Sequence, residues 1–184
     1  MKIQTLNPEH LAQFKRDMQE AFQQGAVEGG FCQKGGKQIL PESHIDHSLS
    51  TDGAVAYEAV IEGENVGGEG GREEIVGGAI VVINRETHHG HLDFLYVKHG
   101  TQGKGIGQAI WRHIETSYPE VSLWETCTPY FDRRNIHFYI NRLGFHAVEF
   151  FWHFHPDPND PMSADLPEND YFDGMFRFEK KLMQ

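Results

Sequence analysis

The apolar positions near the start of the chain repeat with the period of a helix. They stand three or four residues apart: Leu11, Phe14, Met18 and Phe22. This stripe predicts an amphipathic helix that begins behind the capping sequence Asn7-Pro8-Glu9 and ends near Gly25. Helical spacing also occurs in three later segments: 41–49, 106–118 and 135–143. Gly144 follows the last of them, as glycine commonly follows a helix end.

Alternating or β-branched segments elsewhere predict strands. They are 2–6, 54–61, 75–84, 89–97, 121–127, 145–154 and 171–182. Within 89–97, strict alternation puts Leu92, Phe94 and Tyr96 on one face of the strand and His91 and Asp93 on the other. The order of strands and helices predicts an α/β (α+β) chain with one mixed sheet. No change of composition divides residues 1–184, so we expect a single domain.

Composition and charge narrow the possible partners. The 184 residues carry 27 acidic and 16 basic side chains, a net charge of −11. This charge argues against a nucleic-acid or membrane partner, because both need a basic face. No apolar run approaches the about 20 residues that cross a bilayer, and no secretory signal opens the chain. Because two cysteines are also too few for a disulfide framework, we expect a cytoplasmic protein. We expect it to be a monomer or a homodimer.

A glycine-rich turn separates the strand that ends at Val97 from the helix that begins at Ile106. Such a turn suits an anion, because the free N–H groups of the first helical turn and the helix dipole favour negative charge. Lys104 precedes a glycine rather than serine or threonine, which excludes a P-loop. The spacing G-x-G-x-G also differs from the G-x-G-x-x-G of dinucleotide-binding folds.

From Gln102 to Gly107 the turn reads Q-x-x-G-x-G, which resembles the acyl-CoA pyrophosphate loop of the GNAT superfamily of N-acetyltransferases. The resemblance covers most of the chain, since the other predicted strands and helices also follow in family order. It extends to the short helix that ends in Gly144-Phe145. It implies the GNAT fold, a mixed and mostly antiparallel sheet that splays after the fourth strand, holds the cofactor there and is flanked by helices.

The resemblance also implies acetyl-CoA as co-substrate. The residues it places along the pyrophosphate are Gln102, Gly103, Lys104, Gly105, Ile106 and Gly107. Tyr96 and Val97 would offer backbone groups to the pantetheine arm, as an added strand does. Asn135 and Phe138 would lie along its thiol end. For Lys104, a solvated side chain is an equally good interpretation.

Acyl transfer to an amine needs a proton donor and a proton acceptor. The resemblance implies a tyrosine acid four residues before the glycine that closes the short helix, but Ile140 has that place. Tyr139 stands one residue further away and would need an extra residue in the helix end. The candidate bases are His91, Asp93 and Glu125, and for each of them the alternative is a polar group that makes only local hydrogen bonds. We expect direct attack by the amine, without an acyl-enzyme.

Two other functions fit the sequence. The displaced tyrosine also suits a GNAT-fold sensor that binds acyl-CoA without turnover. Five of the 12 histidines cluster at 88–91 and 153–155, and with His44 and His47 they could suit a metalloenzyme. They lack a pattern such as H-E-x-x-H, however, and we expect no metal. The acceptor, a small amine or a peptide, would meet segments 22–47 and 152–173, which are acidic and contain the aromatic rim Phe31, Trp152, His153, Phe154, Tyr171 and Phe172. Such a rim suits a cationic acceptor, and the alternative interpretation is a solvated acidic loop.

Overall fold

The computed structural model describes residues 1–30, 38–63, 73–158 and 174–182. The strands are β1 Lys2–Thr5, β2 Ala54–Glu62, β3 Glu73–Asn84, β4 His89–Val97, β5 Leu123–Pro129, β6 His146–Phe151 and β7 Met175–Lys181. The helices are α1 Leu11–Glu28, α2 Glu42–Ser50, α3 Ile106–Ser117 and α4 Arg133–Phe138. A 3-10 turn, Pro8–His10, precedes α1, and a π-helical segment, Tyr139–Leu143, continues α4.

The strands form one seven-stranded sheet in the order β1-β2-β3-β4-β5-β7-β6. Neighbouring strands are antiparallel except for β4 and β5, which are parallel. The parallel pair follows from the chain path, because α3 returns the chain from the end of β4 to the start of β5. The prediction of a mixed, mostly antiparallel sheet flanked by helices is confirmed.

Helices bury both faces of the sheet. On one face, α3 packs onto an apolar cluster that includes Val81, Leu92 and Trp124. On the other face, Phe14 and Met18 of α1 pack in a second cluster, to which α2 also contributes. The stripe that predicted α1 is therefore the surface that α1 buries.

A bulge in β4 changes which residues share a face. Ile80 of β3 pairs with Phe94, whereas the next residue, Val81, pairs with Leu92, so Asp93 has no partner in β3. Leu92 consequently packs in the α3-side cluster and Phe94 beside the α1-side cluster. Strict alternation, which put Leu92 and Phe94 on one face, is wrong here, because a bulge shifts the period by one residue.

Strands β4 and β5 separate soon after they meet. Their pairing extends only from His89–Leu123 to His91–Glu125, whereas β4 continues along β3 as far as Val97. In the described part of the chain, the other edge of β4 therefore has no strand partner beyond His91. The two strands open as a wedge, which is the splay expected after the fourth strand.

Some predicted bounds differ from the observed ones. Helix α1 runs past Gly25 to Glu28, and β5 begins at Leu123 rather than at residue 121. Strand β6 ends at Phe151, and the predicted continuation to residue 154 is wrong. Trp152 and His155 instead close a tight turn through reciprocal backbone hydrogen bonds of 3.0 and 2.8 Å, which redirects the chain away from β7.

Candidate active site

The glycine-rich turn enters α3 through left-handed glycines. Gly103 and Gly105 have φ angles of 81° and 76°, which glycine adopts without the strain that a Cβ would cause. No side chain caps α3, and its first helical hydrogen bond runs from the Ala109 N–H to the Gly105 carbonyl at 3.0 Å. A Cβ at Gly103 or Gly105 would have no atom within 4 Å. Among the described residues, none of the N–H groups from Gln102 to Gln108 has a hydrogen-bond partner, as an anion site requires.

This turn forms one wall of a pocket of about 620 Å³. The remaining walls are the free edge of β4, the C-terminal half of α1 and the segment from Asp132 to Arg142. The residues predicted to hold the cofactor that line it are Tyr96, Val97, Gln102, Gly103, Gly105, Ile106, Gly107, Asn135 and Phe138. Lys104 is exposed and does not line the pocket, so the structure favours the solvated interpretation of its side chain.

Two of the lining residues also shape the pocket. The Gln102 side chain folds back onto the turn, where its Oε1 accepts a hydrogen bond from the Gly100 N–H at 3.0 Å. Gly107 lets α3 approach the pocket wall closely, because a Cβ there would lie 3.0 Å from Phe138 Cζ. The glycine pattern therefore serves both an open turn and a tight helix contact.

The opposite wall begins with a helix cap and ends with a π turn. Asp132 Oδ1 accepts a hydrogen bond from the Asn135 N–H at 2.9 Å, and burial raises the pKa of this carboxyl. At the other end, the Gly144 N–H donates to the Tyr139 carbonyl, which is the i→i+5 pattern of a π helix. A π turn contains one residue more than an α turn. The extra residue that the assignment of Tyr139 requires is therefore present.

Tyr139 itself lies in the α3-side core. Its side chain is 5% exposed, packs between Phe145 and Phe178, and does not line the pocket. Burial raises the pKa of its phenol well above the usual range, although a hydrogen bond with the Thr126 hydroxyl opposes the shift. Because Thr126 donates to the Leu92 carbonyl at 2.8 Å, the Tyr139 hydroxyl is the donor to Thr126. The acid role of Tyr139 stays a prediction.

His91 and Asp93 meet on the opposite face of the sheet, beside the point where β4 and β5 part. His91 Nδ1 lies 2.5 Å from Asp93 Oδ1, and Asp93 Oδ2 accepts a hydrogen bond from the hydroxyl of Ser48 on α2. Burial disfavours the charge of His91, but its hydrogen bonds with Asp93 and Cys127 outweigh burial and raise its pKa from 6.5 to about 10. The Asp93 carboxylate at 2.5 Å thus favours the imidazolium form of the ring.

Glu125 belongs to a network around Arg177 of β7. The guanidinium of Arg177 binds Glu125 through Nη1, and it also binds Glu149 at 3.1 Å and Glu179 at 3.0 Å. The same guanidinium, with His155, lowers the pKa of Glu149, and His155 provides the largest part of this effect. We call Glu125, Glu149, Arg177 and Glu179 the Arg177 network. It neighbours His91, because Glu125 pairs with His91 across the two strands.

The candidate catalytic residues do not line the pocket that the cofactor residues form. His91, Asp93 and Glu125 lie together on the sheet face that carries α1 and α2, whereas Tyr139 lies on the α3 face. The sequence did not predict Ser48, Cys127 or Arg177 as their partners. A strand register is needed to find these contacts, so no local sequence signal could have revealed them.

Basic residues of the pocket wall are a second omission from the predicted site. Arg134 and Arg142 line the pocket, and so does Phe22 of α1. Their signal in the sequence is the basic character of the segment from Lys98 to Arg142, which contains six basic and four acidic residues and suits a phosphorylated cofactor. Of the predicted aromatic rim, Phe31, Tyr171 and Phe172 lie outside the described residues. Trp152 and Phe154, which are described, are exposed.

The described residues were also compared with the requirements of a metal site and of a membrane-spanning helix, and they meet neither. No group of three or more His, Cys, Asp or Glu side chains is placed there to hold a metal ion. Within the same ranges, no helix has the length and apolar character that crossing a membrane requires.

Comparison with known proteins relates this architecture to one family. Residues 39–145 match the model of the acetyltransferase (GNAT) family. The uncharacterized protein YrkN of Bacillus subtilis (strain 168) is 40% identical over 175 residues, which cover 92% of this chain and 87% of the relative.

Solved structures share the fold at low sequence identity. An IAA acetyltransferase from Bacillus cereus ATCC 14579 has a TM-score of 0.64 and 16% identity, covering 98% of this chain and 99% of its own. The ribosomal-protein-S18-alanine N-acetyltransferase of Escherichia coli has a TM-score of 0.64 and 13% identity, covering 100% of this chain and 94% of its own. The PaiA N-acetyltransferase of Thermoplasma acidophilum, in complex with coenzyme A, has a TM-score of 0.62 and 15% identity over 98% of both chains. Since the family model spans more than half of the sequence and YrkN is similar over most of it, the chain belongs to the GNAT family of acetyltransferases.

Proposed function

We propose that the protein transfers an acetyl group from acetyl-CoA to a primary amine, by direct attack of the amine on the thioester. The pocket supports this proposal, because an uncapped helix N-terminus and a strand edge without a partner meet in it. The first suits a diphosphate, and the second offers backbone hydrogen bonds to a pantetheine arm. The related fold of T. acidophilum PaiA N-acetyltransferase holds CoA, which supports the same ligand class.

The charge state of His91 bears on the proton transfers. With a pKa of about 10, the ring is already protonated at neutral pH and does not suit the role of base. It suits the opposite role, the donation of a proton to the leaving thiolate. Asp93 orients the ring and has both carboxylate oxygens engaged, by His91 and Ser48. We therefore propose His91 as acid and Asp93 as the residue that positions it.

Glu125 is the best-placed remaining candidate for the base. Its Oε1 binds Arg177, but its Oε2 has no partner in the part of the chain that the structure describes. The Arg177 network holds three carboxylates, and its neighbouring cations are Arg177 and Lys181, which lies 3.9 Å from Glu179; with His155 neutral beside Glu149, one negative charge is in excess. A cationic amine would be attracted there and could lose its proton to Glu125. The structural neighbours include acetyltransferases of IAA and of a ribosomal-protein alanine, so the acceptor varies within this fold.

Ligand binding tests the first half of the proposal. CoA and acetyl-CoA at about 100 times their Kd should stabilise the protein by about 2.7 kcal/mol, whereas NAD and ATP should have little effect. Gly105→Ala should weaken CoA binding about tenfold, because the free turn escapes the about 1–2 kcal/mol strain of a left-handed alanine by changing conformation and CoA must restore the original geometry. Gly25→Ala is the matched control, since Gly25 also lines the pocket but has helical geometry. No thermal shift with CoA would contradict the proposal.

Turnover tests the second half. The protein is incubated with acetyl-CoA and a panel of monoamines, polyamines and peptides, and the released thiol is measured. Thiol release that depends on the amine supports the enzyme. Binding of acetyl-CoA without thiol release for any amine would instead support the acyl-CoA sensor. Tyr139, the acid that the resemblance implies, does not line the pocket, which is compatible with a sensor.

A further inference from the structure

We propose that the thiol of Cys127 is a site of oxidation by hydroperoxides, activated by His91 and Asp93 beside it. The proposed acetyl transfer leaves this nucleophile unused. The inference goes beyond the proposed function and does not rest on it, because its test needs neither acetyl-CoA nor an amine. It concerns the polar face of the sheet, at the point where β4 and β5 part.

Cys127 lies on this polar face rather than in a core. In β5, Trp124 and Thr126 are buried on the side of α3, so Glu125 and Cys127 project from the opposite face. Cys127 is a free cysteine and is partly exposed. A solute as small as hydrogen peroxide can therefore approach its side chain.

The register of the sheet brings His91 to Cys127. His91 pairs with Glu125 at the last position where β4 and β5 run together, and Cys127 follows two residues later on the same face. The His91 ring interacts with the Cys127 thiol as well as with Asp93. Because Asp93 Oδ1 lies 2.5 Å from Nδ1 of the ring, the other ring nitrogen, Nε2, is the one left for Cys127.

This arrangement is typical of cysteines that act as nucleophiles. Its signature is a thiol beside a histidine whose ring is oriented by a third group. Asp93 is the third group here, and Ser48 of α2 donates a hydrogen bond to its other carboxylate oxygen, Oδ2. Residues of α2 and β4 therefore hold the ring in place, and Cys127 has an oriented partner.

The charges around the sulfur favour a neutral oxidant. Arg177 of β7 pairs with Cys127, and the Cβ atoms of such a pair lie about 4.5–5.5 Å apart. The Arg177 guanidinium binds the three carboxylates of the Arg177 network, and Asp93 faces His91. These carboxylates repel an anionic disulfide, whereas a hydroperoxide is small and uncharged.

The oxidation needs no further reactant. After the thiol has lost its proton to solvent, the sulfur attacks one oxygen of hydrogen peroxide, so that an S–O bond forms and the O–O bond breaks. The second oxygen leaves with the electron pair of that bond and takes a proton from the His91 imidazolium, which regains one from solvent. The sulfur is oxidised by two electrons to a sulfenic acid, and the peroxide is reduced to water. Free thiols reverse the change through a disulfide.

The experiment follows the reaction of hydrogen peroxide with Cys32→Ser, in which Cys127 is the only cysteine of the chain. Loss of free thiol over time gives the rate constant, and dimedone labelling with mass spectrometry identifies the sulfenic acid. At pH 7 we expect a rate constant at least about tenfold above that of N-acetylcysteine, as a charge-assisted hydrogen bond to the leaving oxygen implies. His91→Gln in the same background should remove this excess, and Asp93→Asn should remove part of it.

His99→Gln is the matched control. It makes the same change at an exposed histidine beyond the end of β4, so it should keep the rate of its background. A rate equal to that of N-acetylcysteine in Cys32→Ser, or an unchanged rate in His91→Gln, would overturn the inference. So would an equal loss in His99→Gln. None of these results bears on acetyl transfer, so the proposed function would stand, and far-UV circular dichroism verifies the fold of each variant.

Discussion

At the scale of single residues, the protonation state of His91 decides whether this side chain can serve as an acid or as a base. Exposed histidines titrate near pH 6.5, but Asp93 and Cys127 hold the pKa of His91 at about 10. Nuclear magnetic resonance of the imidazole nitrogens should therefore show His91 still protonated at pH 8. Asp93→Asn removes the carboxylate and should lower this pKa by at least about one unit. A wild-type His91 that titrates near pH 6.5 would contradict the pairing.

The same pair links stability to pH. Because the folded-state pKa of His91 is raised above its unfolded value, its contribution to stability is complete below pH 6.5 and is lost as the pH rises toward about 10. The free energy of unfolding of the wild type should decrease across this window. In Asp93→Asn the decrease should be smaller, which separates His91 from other groups that titrate in the same range.

Tyr139 is the residue for which the resemblance implies an acid role, but in the structure its side chain packs in the core. Its ring is buried between Phe145 and Phe178, and its hydroxyl bonds Thr126. We expect Tyr139→Phe to lower the free energy of unfolding by about 1 kcal/mol, the typical worth of a hydrogen bond. Amine-dependent thiol release should stay within about threefold of the wild type, because the Tyr139 side chain is buried in the core and its hydroxyl already donates to Thr126.

The outcome of this substitution also tests the role that the resemblance implies for Tyr139. A fall of about 100-fold or more in turnover, with unchanged CoA binding, would identify Tyr139 as the acid after all. His91→Gln is the companion variant, and it should show this fall if His91 donates the proton.

At the scale of elements, the π turn after α4 is an insertion that the fold accommodates on its exposed side. Ile140 within it is 39% exposed. Deletion of Ile140 should convert the π turn to an α turn and leave Leu143 and Phe145 in the core. The free energy of unfolding should change by no more than about 1 kcal/mol, measured by urea denaturation.

Deletion of Arg112 from the regular helix α3 is the control. Arg112 is also exposed, but its loss would rotate the buried Ile114 by one helical position away from the α3-side core. This deletion should cost at least about 2 kcal/mol, the lower range for removing a buried aliphatic side chain. Equal damage from both deletions would mean that the core requires the π turn.

Elements that are specified by their own stretch of sequence could be predicted, whereas features that depend on contact with another strand or helix could not. The stripe of α1 and the glycines before α3 are local, and both elements were predicted close to their observed bounds. The bulge at Asp93 is not local, because the sequence from His91 to Tyr96 alternates and only pairing with β3 reveals the extra residue. The same holds for the site: the pocket residues follow a motif, but the contact between Ser48 and Asp93 joins α2 to β4 and depends on the register of the sheet.

At the scale of the whole molecule, charge is divided between the two regions that the proposed reaction uses. The segment from Lys98 to Arg142 contains six basic and four acidic residues, so it has a net charge of +2 and leaves −13 for the rest of the chain. The pocket walls lie within or beside this basic segment. The Arg177 network lies on β5, β6 and β7; its Glu125 belongs to the basic segment, and its other members lie outside that segment. An anionic cofactor and a cationic amine would thus meet at the junction of two regions of opposite charge.

The two apolar clusters should unfold together, because they share the strands of one sheet. Trp111 and Trp124 are buried in the α3-side cluster and Trp152 is exposed, so the fluorescence change on unfolding comes mainly from the α3 face. Far-UV circular dichroism also reports α1 and α2. Urea titrations followed by both signals should coincide, with an m-value of about 1–3 kcal/mol/M. CoA should move both curves equally, because its pocket touches α1 on one face and α3 on the other. Two separate transitions, or a shift of one signal alone, would show that the faces are independent units and that the pocket does not connect them.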